Sequence, residues 1–393
     1  MRRTLLAMAL MTALVGWVPA GGAGASPPDS VPVCGPVPDG YARCLAVEQR
    51  GPLAPGVPQG GTGTEPAGLS PDVVKSIYNF PRGRSVGQGQ TIAVVSAFDA
   101  PTMEGDLGVF DRQFGLPACT AGNGCFKKLD QNGGTSFPAT DPGWVFETHL
   151  DVEWAHAIAP GAKILLVEAT TNAFDNMITA EDTAKVRAGY VSNSWDSPEA
   201  GVEGAIEHHF SPAEAPGVSF FFASGDFAAP AQLYPAASPQ VVAVGGTTLQ
   251  LNHDGRFLGE IGWSNSGGGC SPFLNASAVQ AAFPGYAAKG CAGKRATPDV
   301  SLDADPHTGV SVYNSQPDEN NLIGWFVVGG TSVSTPMVAA RAAITGQLID
   351  QAAIYGHSIV FRDILQGNNG FPCTPGYDLV TGRGSWSGRA AGN

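Results

Sequence analysis

Residues 329–336 read GGTSVSTP, preceded by the apolar run GWFVV at 324–328 and followed by MVAARAAITGQLIDQAA. An apolar run, a Gly-rich turn and a helix-forming run predict strand, turn and helix in that order. Ser332 then stands at a helix N-terminus, where free backbone N–H groups can help to hold a developing oxyanion. Ser and Thr are also ordinary N-caps, so the eight residues alone leave two readings open, a nucleophile or a capping turn.

Working outward, TIAVVSAF (91–98), AKILLVEA (162–169), GYVSNSW (189–195), GVSFFFASGD (217–226) and QVVAVGGTTL (240–249) are continuous apolar runs of the kind buried on both faces of a sheet. Between them lie helical patterns: DLGVFDRQFG (106–115), WVFETHLDVEWAHAI (144–158) and NMITAEDTAKVRA (176–188). This alternation predicts an α/β fold, a doubly wound parallel sheet with helices on both faces, with its site at the carboxyl ends of the strands. Residues 1–25 read as a signal peptide, with a basic start, an apolar middle and an A-x-A cleavage signal. Secretion is therefore expected. Residues 26–70, rich in Pro and Gly, are expected to be an arm or linker, and 71–393 a single catalytic-sized domain.

The net charge of -13, with only 21 Lys and Arg, argues against nucleic acid or an anionic membrane as a partner. No segment after the leader is long and apolar enough to span a membrane. A monomer acting on protein or peptide is expected. Seven cysteines in an exported chain should mostly pair. Proximity in sequence favours Cys34 with Cys44, Cys119 with Cys125 and Cys270 with Cys291. Cys373 is left over, either for an intermolecular bond or as a buried inert thiol.

No histidine is placed to serve Ser332. Ser96 occupies the position near the end of the first strand where a subtilisin carries Asp, and no HG pair followed by His exists. His149 and His156 lack zinc-protease spacing, and His208 and His209 fall in a surface segment. Carboxylates offer another base. Glu147 and Asp151 are four residues apart on an otherwise apolar helix, hence on one face, and neither has a basic partner three or four positions away. A solvated face is the alternative reading, less expected here than in a charged helix. Asp226 ends an apolar strand, where a ligand would bind, although an Asx turn would explain it equally well. No G-x-S-x-G elbow surrounds Ser332, which counts against a lipase or esterase.

Taken together, ETHLDVEWAHAIAPGAKI, VSNSW, ASGD, YPAASPQVVAVGGTTL, SNSGGGCS, PDVSLDADPHTG, GGTSVSTP and GYDLVTGRG resemble the sedolisin family, the serine-carboxyl peptidases of subtilisin-like fold. The resemblance implies Ser332 as nucleophile, Glu147 as general base, Asp151 as its orienting partner and Asp226 in the oxyanion hole. A carboxyl base suits acid, where a histidine of pKa about 6.5 is protonated. The resemblance further implies a structural Ca2+ in the loop at about 361–384, held by Asp363 and Asp378 and by backbone oxygens of Ile364, Thr374 and Gly376.

The family pattern is not matched everywhere. Asp196 stands where Gly commonly follows SNSW, Phe227-Ala228 where Ser-Gly commonly follows SGD, and Thr374 where the calcium loop often has Gly. The family also implies a long N-terminal prosegment. Here a short arm precedes GLSPDVVK, so either the arm does a reduced version of that job, or folding needs none, or there is no zymogen control. A catalytically silent binder of peptides or surfaces is the alternative expectation.

Overall fold

The computed structural model describes residues 29–60, 63–230, 232–318, 320–356 and 359–387. The expected signal peptide lies outside them. Strands run Ser30–Pro32 (β1), Arg43–Cys44 (β2), Val47–Gln49 (β3), Thr91–Ala97 (β4), Phe126–Asp130 (β5), Lys163–Ala169 (β6), Tyr190–Asn193 (β7), Trp195–Pro198 (β8), Ser219–Ala223 (β9), Leu233–Tyr234 (β10), Val242–Leu251 (β11), Phe257–Gly262 (β12), Gly269–Asn275 (β13), Lys294–Thr297 (β14), Val300–Asp303 (β15), Val310–Asn314 (β16) and Gly324–Gly329 (β17). Helices span Pro71–Ile77 (α1), Met103–Phe114 (α2), Pro142–Ile158 (α3), Phe174–Lys185 (α4), Ala278–Ala281 (α5), Thr331–Thr345 (α6) and Gln351–Tyr355 (α7).

The apolar runs form the central sheet, in the order β12–β11–β9–β7–β4–β6–β5, with β15 added in parallel to β11. Its neighbours pair in parallel except for β12, which returns antiparallel to β11. Apolar side chains on both faces of these strands require cover on both sides. One core lies around Val94, Trp154, Phe221 and Met337, the other around Val95, Val167, Trp195 and Phe222. Alternate residues of a strand point to opposite faces, so Val94 and Val95 fall into different cores.

The helix α3 is the buried axis of the first core. Asp141 caps it, its side chain accepting from the Trp144 N–H at 3.1 Å, with Pro142 at the first helical position. Every residue from Gly143 to Ile158 is buried. A helix apolar all round belongs inside, and Glu147, Asp151 and Glu153 are carried in with it.

Three features differ from the sequence expectation. The strand before Ser332, β17, is not part of the large parallel sheet. It belongs to a four-stranded antiparallel sheet in the order β1–β3–β17–β16. The run after Ser332 is two helices, because Gly346 takes a left-handed conformation (φ 65°) and ends α6. The Pro- and Gly-rich arm is also no free linker. β1 and β3 pair with each other, β3 with β17, and β2 with β8, so the arm contributes strands to two sheets. Proline and glycine punctuate it without preventing short edge strands. No helix among the described residues is long and apolar enough to cross a membrane.

Candidate active site

Ser332 is the second residue of α6 and is fully buried. The turn that delivers it needs Gly330, which has φ 94°. A Cβ there would lie 2.1 Å from the Leu45 carbonyl oxygen and 2.6 Å from Asp226 Oδ2. Pro336, inside α6, has no N–H to bond the carbonyl of Ser332 four residues back. The Ser194 hydroxyl lies 3.5 Å from that carbonyl and donates to Asp151 Oδ1 at 2.6 Å.

Glu147 and Asp151, one helical turn apart on α3, are each about 1% exposed, so the solvated-face reading fails. Burial raises Glu147 above the ordinary carboxyl range, against the pull of Ser332 and of the Leu45 and Ala46 amides, and Asp226 adds to the rise. Ser332 Oγ therefore faces Glu147, but it completes no hydrogen bond of ordinary geometry, and Glu147 Oε1 is likewise unpartnered. Burial and the neighbouring Glu147 raise Asp151 well above the ordinary range as well, against the Ser194 hydrogen bond.

Asp226 follows β9 and is aimed at the same place. Its Oδ1 accepts from the N–H and hydroxyl of Thr331, at 2.8 and 2.7 Å, and its Oδ2 is buried without a partner. Burial, opposed by the Thr331 bonds, pushes its carboxyl up to about 7. Ser332, Glu147, Asp151 and Asp226 are thus brought together, each with one polar atom unsatisfied. Among the described residues no histidine bonds Ser332. His149 is held by Asp106 and the Val145 carbonyl, and His156 by the Pro117 carbonyl.

What fills the cleft is a segment that no motif marks. Arg43 and Cys44 pair antiparallel with Asp196 and Trp195, the backbone crosses the site at Leu45 and Ala46, and Val47–Gln49 leave along β17. The Leu45 and Ala46 N–H groups both donate to Glu147 Oε2, at 2.8 and 2.6 Å. The Cys34–Cys44 disulfide and the Val33 N–H to Ala46 carbonyl bond (3.0 Å) close the arm into a loop beside the site. A cavity of about 550 Å³, lined by Asp72, Arg82 and Phe257, lies elsewhere. The cleft is not a cavity because residues 43–46 occupy it.

The other expected disulfides, Cys119–Cys125 and Cys270–Cys291, are formed. Cys373 is a free thiol that burial, with Asp378 and Asp363, pushes up to about 12, an inert state. In the C-terminal loop, Gly376 N–H donates to Asp363 Oδ2 and Thr374 N–H to Asp378 Oδ2, at 2.9 and 3.0 Å. Both carboxylates therefore converge on one turn, and neither makes an ion pair among the described residues. Hard oxygen donors around a turn suit a cation such as Ca2+. Ile364 is buried at the edge of this loop.

A family model described as the subtilase family matches residues 141–360. The chain is 33% identical to kumamolisin of Bacillus sp. (strain MN-32), over 81% of this chain and 62% of that protein. It is 28% identical to sedolisin of Pseudomonas sp. (strain 101), over 55% and 41% respectively. It thus spans less than two thirds of the length of these curated relatives. Among solved structures, Pseudomonas sedolisin, a serine-carboxyl proteinase complexed with two molecules of pseudo-iodotyrostatin, superposes with a TM-score of 0.68 at 25% identity, over 83% of this chain and 96% of that one. Sphericase, at 18% identity and a TM-score of 0.53, shares the fold. With a parallel sheet of subtilisin type and carboxylates where a histidine would stand, the chain belongs to the subtilase family, in its sedolisin branch.

Proposed function

We propose that the chain is a secreted, monomeric, acid-active serine-carboxyl peptidase. Ser332 is the nucleophile, Glu147 the general base, Asp151 the group that orients Glu147, and Asp226 the oxyanion donor. The observation that supports this best is the meeting of Ser332 Oγ, Glu147 Oε1, Asp151 Oδ2 and Asp226 Oδ2, all buried and unpartnered, beyond the carboxyl end of β9. As Ser332 Oγ bonds to the substrate carbonyl carbon, its proton passes to Glu147. The carbonyl oxygen, now an anion, accepts from protonated Asp226. The C–N bond then breaks, Glu147 returns the proton to the leaving amine, and the acyl group stays on Ser332. Water repeats the sequence, with Glu147 taking its proton and then restoring that of Ser332.

The arm accounts for control. It covers Glu147, and the same burial raises the base out of its working range. When the arm leaves, water enters and the carboxyl falls back toward about 4, where it is a competent base in acid. Asp226 acts only while protonated, so activity falls as pH rises toward about 7. All four groups are retained, which favours catalysis over a silent binder. The leader at 1–25 supports secretion. We further infer that Asp363, Asp378 and the carbonyls of Ile364, Thr374 and Gly376 hold one structural Ca2+.

The test is an acyl-enzyme trap. The full chain, mixed with a peptide ester in acid and quenched, is expected to gain one acyl mass on the fragment holding Ser332, and Ser332→Ala to gain none. Acylation elsewhere, or none under any condition that hydrolyses the ester, overturns the assignment.

A further inference from the structure

Two side chains outside the catalytic set converge on one cation in the cleft. Asp196 lies directly opposite Arg43 in the β2–β8 pairing, and its carboxylate holds Arg43 Nη2 at 3.0 Å. The same guanidinium stands 3.8 Å from the centroid of the Phe227 ring. Asp196 follows VSNSW and lies within β8, Phe227 follows ASGD in the loop beyond β9, and both are positions where this chain departs from the sedolisin pattern. Asp196 is 1% exposed, while Phe227 is 44% exposed. The arrangement is a slot with a charged floor and an open aromatic wall.

The register says which substrate position the slot serves. The Leu45 carbonyl oxygen and Asp226 Oδ2 both crowd the space where a Gly330 Cβ would be, so this carbonyl sits on the side of the oxyanion donor. Leu45–Ala46 is then the bond lying across the site, and Arg43 is the third residue counting back from it. Arm residues 43–46 are a ligand the protein has placed in its own cleft.

We propose that Asp196 and Phe227 form a subsite for a cationic side chain, so that the peptidase prefers Arg, and next Lys, at the third residue on the amino side of the cut bond. Arg43 is the arm's occupant of that subsite. The inference rests on the peptidase reading and adds the substrate class. A guanidinium fits best because it is planar, pairs with carboxylate and stacks on an aromatic face. Discrimination also works by penalty. With a neutral or acidic side chain in the slot the buried Asp196 carboxyl has no cation and must take up a proton, since burial already raises it to about 6 beside Arg43, whereas the arm's departure in favour of an Arg substrate exchanges one ion pair for another.

The experiment uses the full chain and peptides identical except for Arg, Lys or Gln at that third position. Wild type is expected to show kcat/KM at least about tenfold higher for Arg than for Gln, with Lys between. In Asp196→Asn the Arg-to-Gln ratio should fall to about twofold or less, with the Arg peptide cut more slowly and the Gln peptide no worse than in wild type, and in Phe227→Ala the advantage of Arg over Lys should shrink. Equal rates for Arg and Gln in wild type, or a preference that survives Asp196→Asn, overturn the subsite while the peptidase stands. Should no peptide be cut at all, the peptidase reading fails instead, and the subsite is judged by binding of the same peptides to Ser332→Ala. The Arg peptide should then bind about tenfold tighter than the Gln peptide and increase hydrogen exchange at the Leu45 and Ala46 amides; equal or absent binding overturns it.

Discussion

At the scale of single residues, the four proposed catalytic groups were legible because each interrupts a pattern. Two acids stand inside an apolar helix, one acid ends an apolar strand, and a serine follows a glycine turn. Their arrangement was not, since nothing local tells an acid on a solvated face from one turned inward. The amides of Leu45 and Ala46 were invisible, because a backbone donor has no side chain to mark it. So was Ser194, a small polar residue whose importance lies in its bond to Asp151. Replacing Ser332 by Ala or Glu147 by Gln should lower kcat at least about 10³-fold while leaving the circular dichroism unchanged, since both substitutions nearly preserve volume. Asp226 gives a sharper prediction. Its carboxyl, held up near 7 by burial, makes activity fall as pH rises through that range. In Asp226→Asn the amide donates at every pH, so the rate, reduced about 10- to 100-fold, should lose that alkaline fall. Retention of the same limb in a kcat–pH profile would assign it to another group.

At the scale of elements, the parallel strands and α2, α3 and α4 could be read from hydrophobic runs and their lengths. Sheet membership could not, because β17 is apolar whichever sheet receives it. The arm shows the limit of composition. GPLAPGVPQGGTG reads as linker, yet the eight residues Tyr41–Glu48 before it are tied to the body by strand pairing and by Glu147. Pairing is decided by the partner strand's free edge, which lies far away in sequence. The Cys34–Cys44 disulfide holds the arm's loop closed. Removing it in Cys34→Ser/Cys44→Ser should speed the onset of peptide hydrolysis several-fold, without changing the final rate once the arm has been displaced. A lag as long as that of wild type would show that the disulfide does not restrain the arm.

For the whole molecule, buried acids set the pH dependence of stability. Burial raises Glu147, Asp151, Glu153, Glu181 and Asp303 above the ordinary range, Asp226 up to about 7 and Glu168 up to about 8. A carboxyl that binds its proton more tightly folded than unfolded adds stability that is whole below the ordinary carboxyl pKa and lost as pH rises through the folded value. With Ca2+ saturating, Tm by calorimetry should therefore be at least about 5 °C higher at pH 4 than at pH 8.5; a Tm rising toward pH 8.5 would contradict it. Chelation at fixed pH should lower Tm by several degrees, and in Asp378→Asn chelation should have little further effect. Little of this was open to sequence reading beyond the low count of charged residues, because burial of a particular acid is a property of the assembled core.

The central claim, that a carboxylate takes the proton of Ser332, is tested most directly by the rate of peptide-bond hydrolysis by the full chain across pH 3 to 8, beside Glu147→Gln. A maximum in acid that Glu147→Gln abolishes is the predicted result. A maximum near neutrality, or an acid maximum that survives the substitution, would contradict the account.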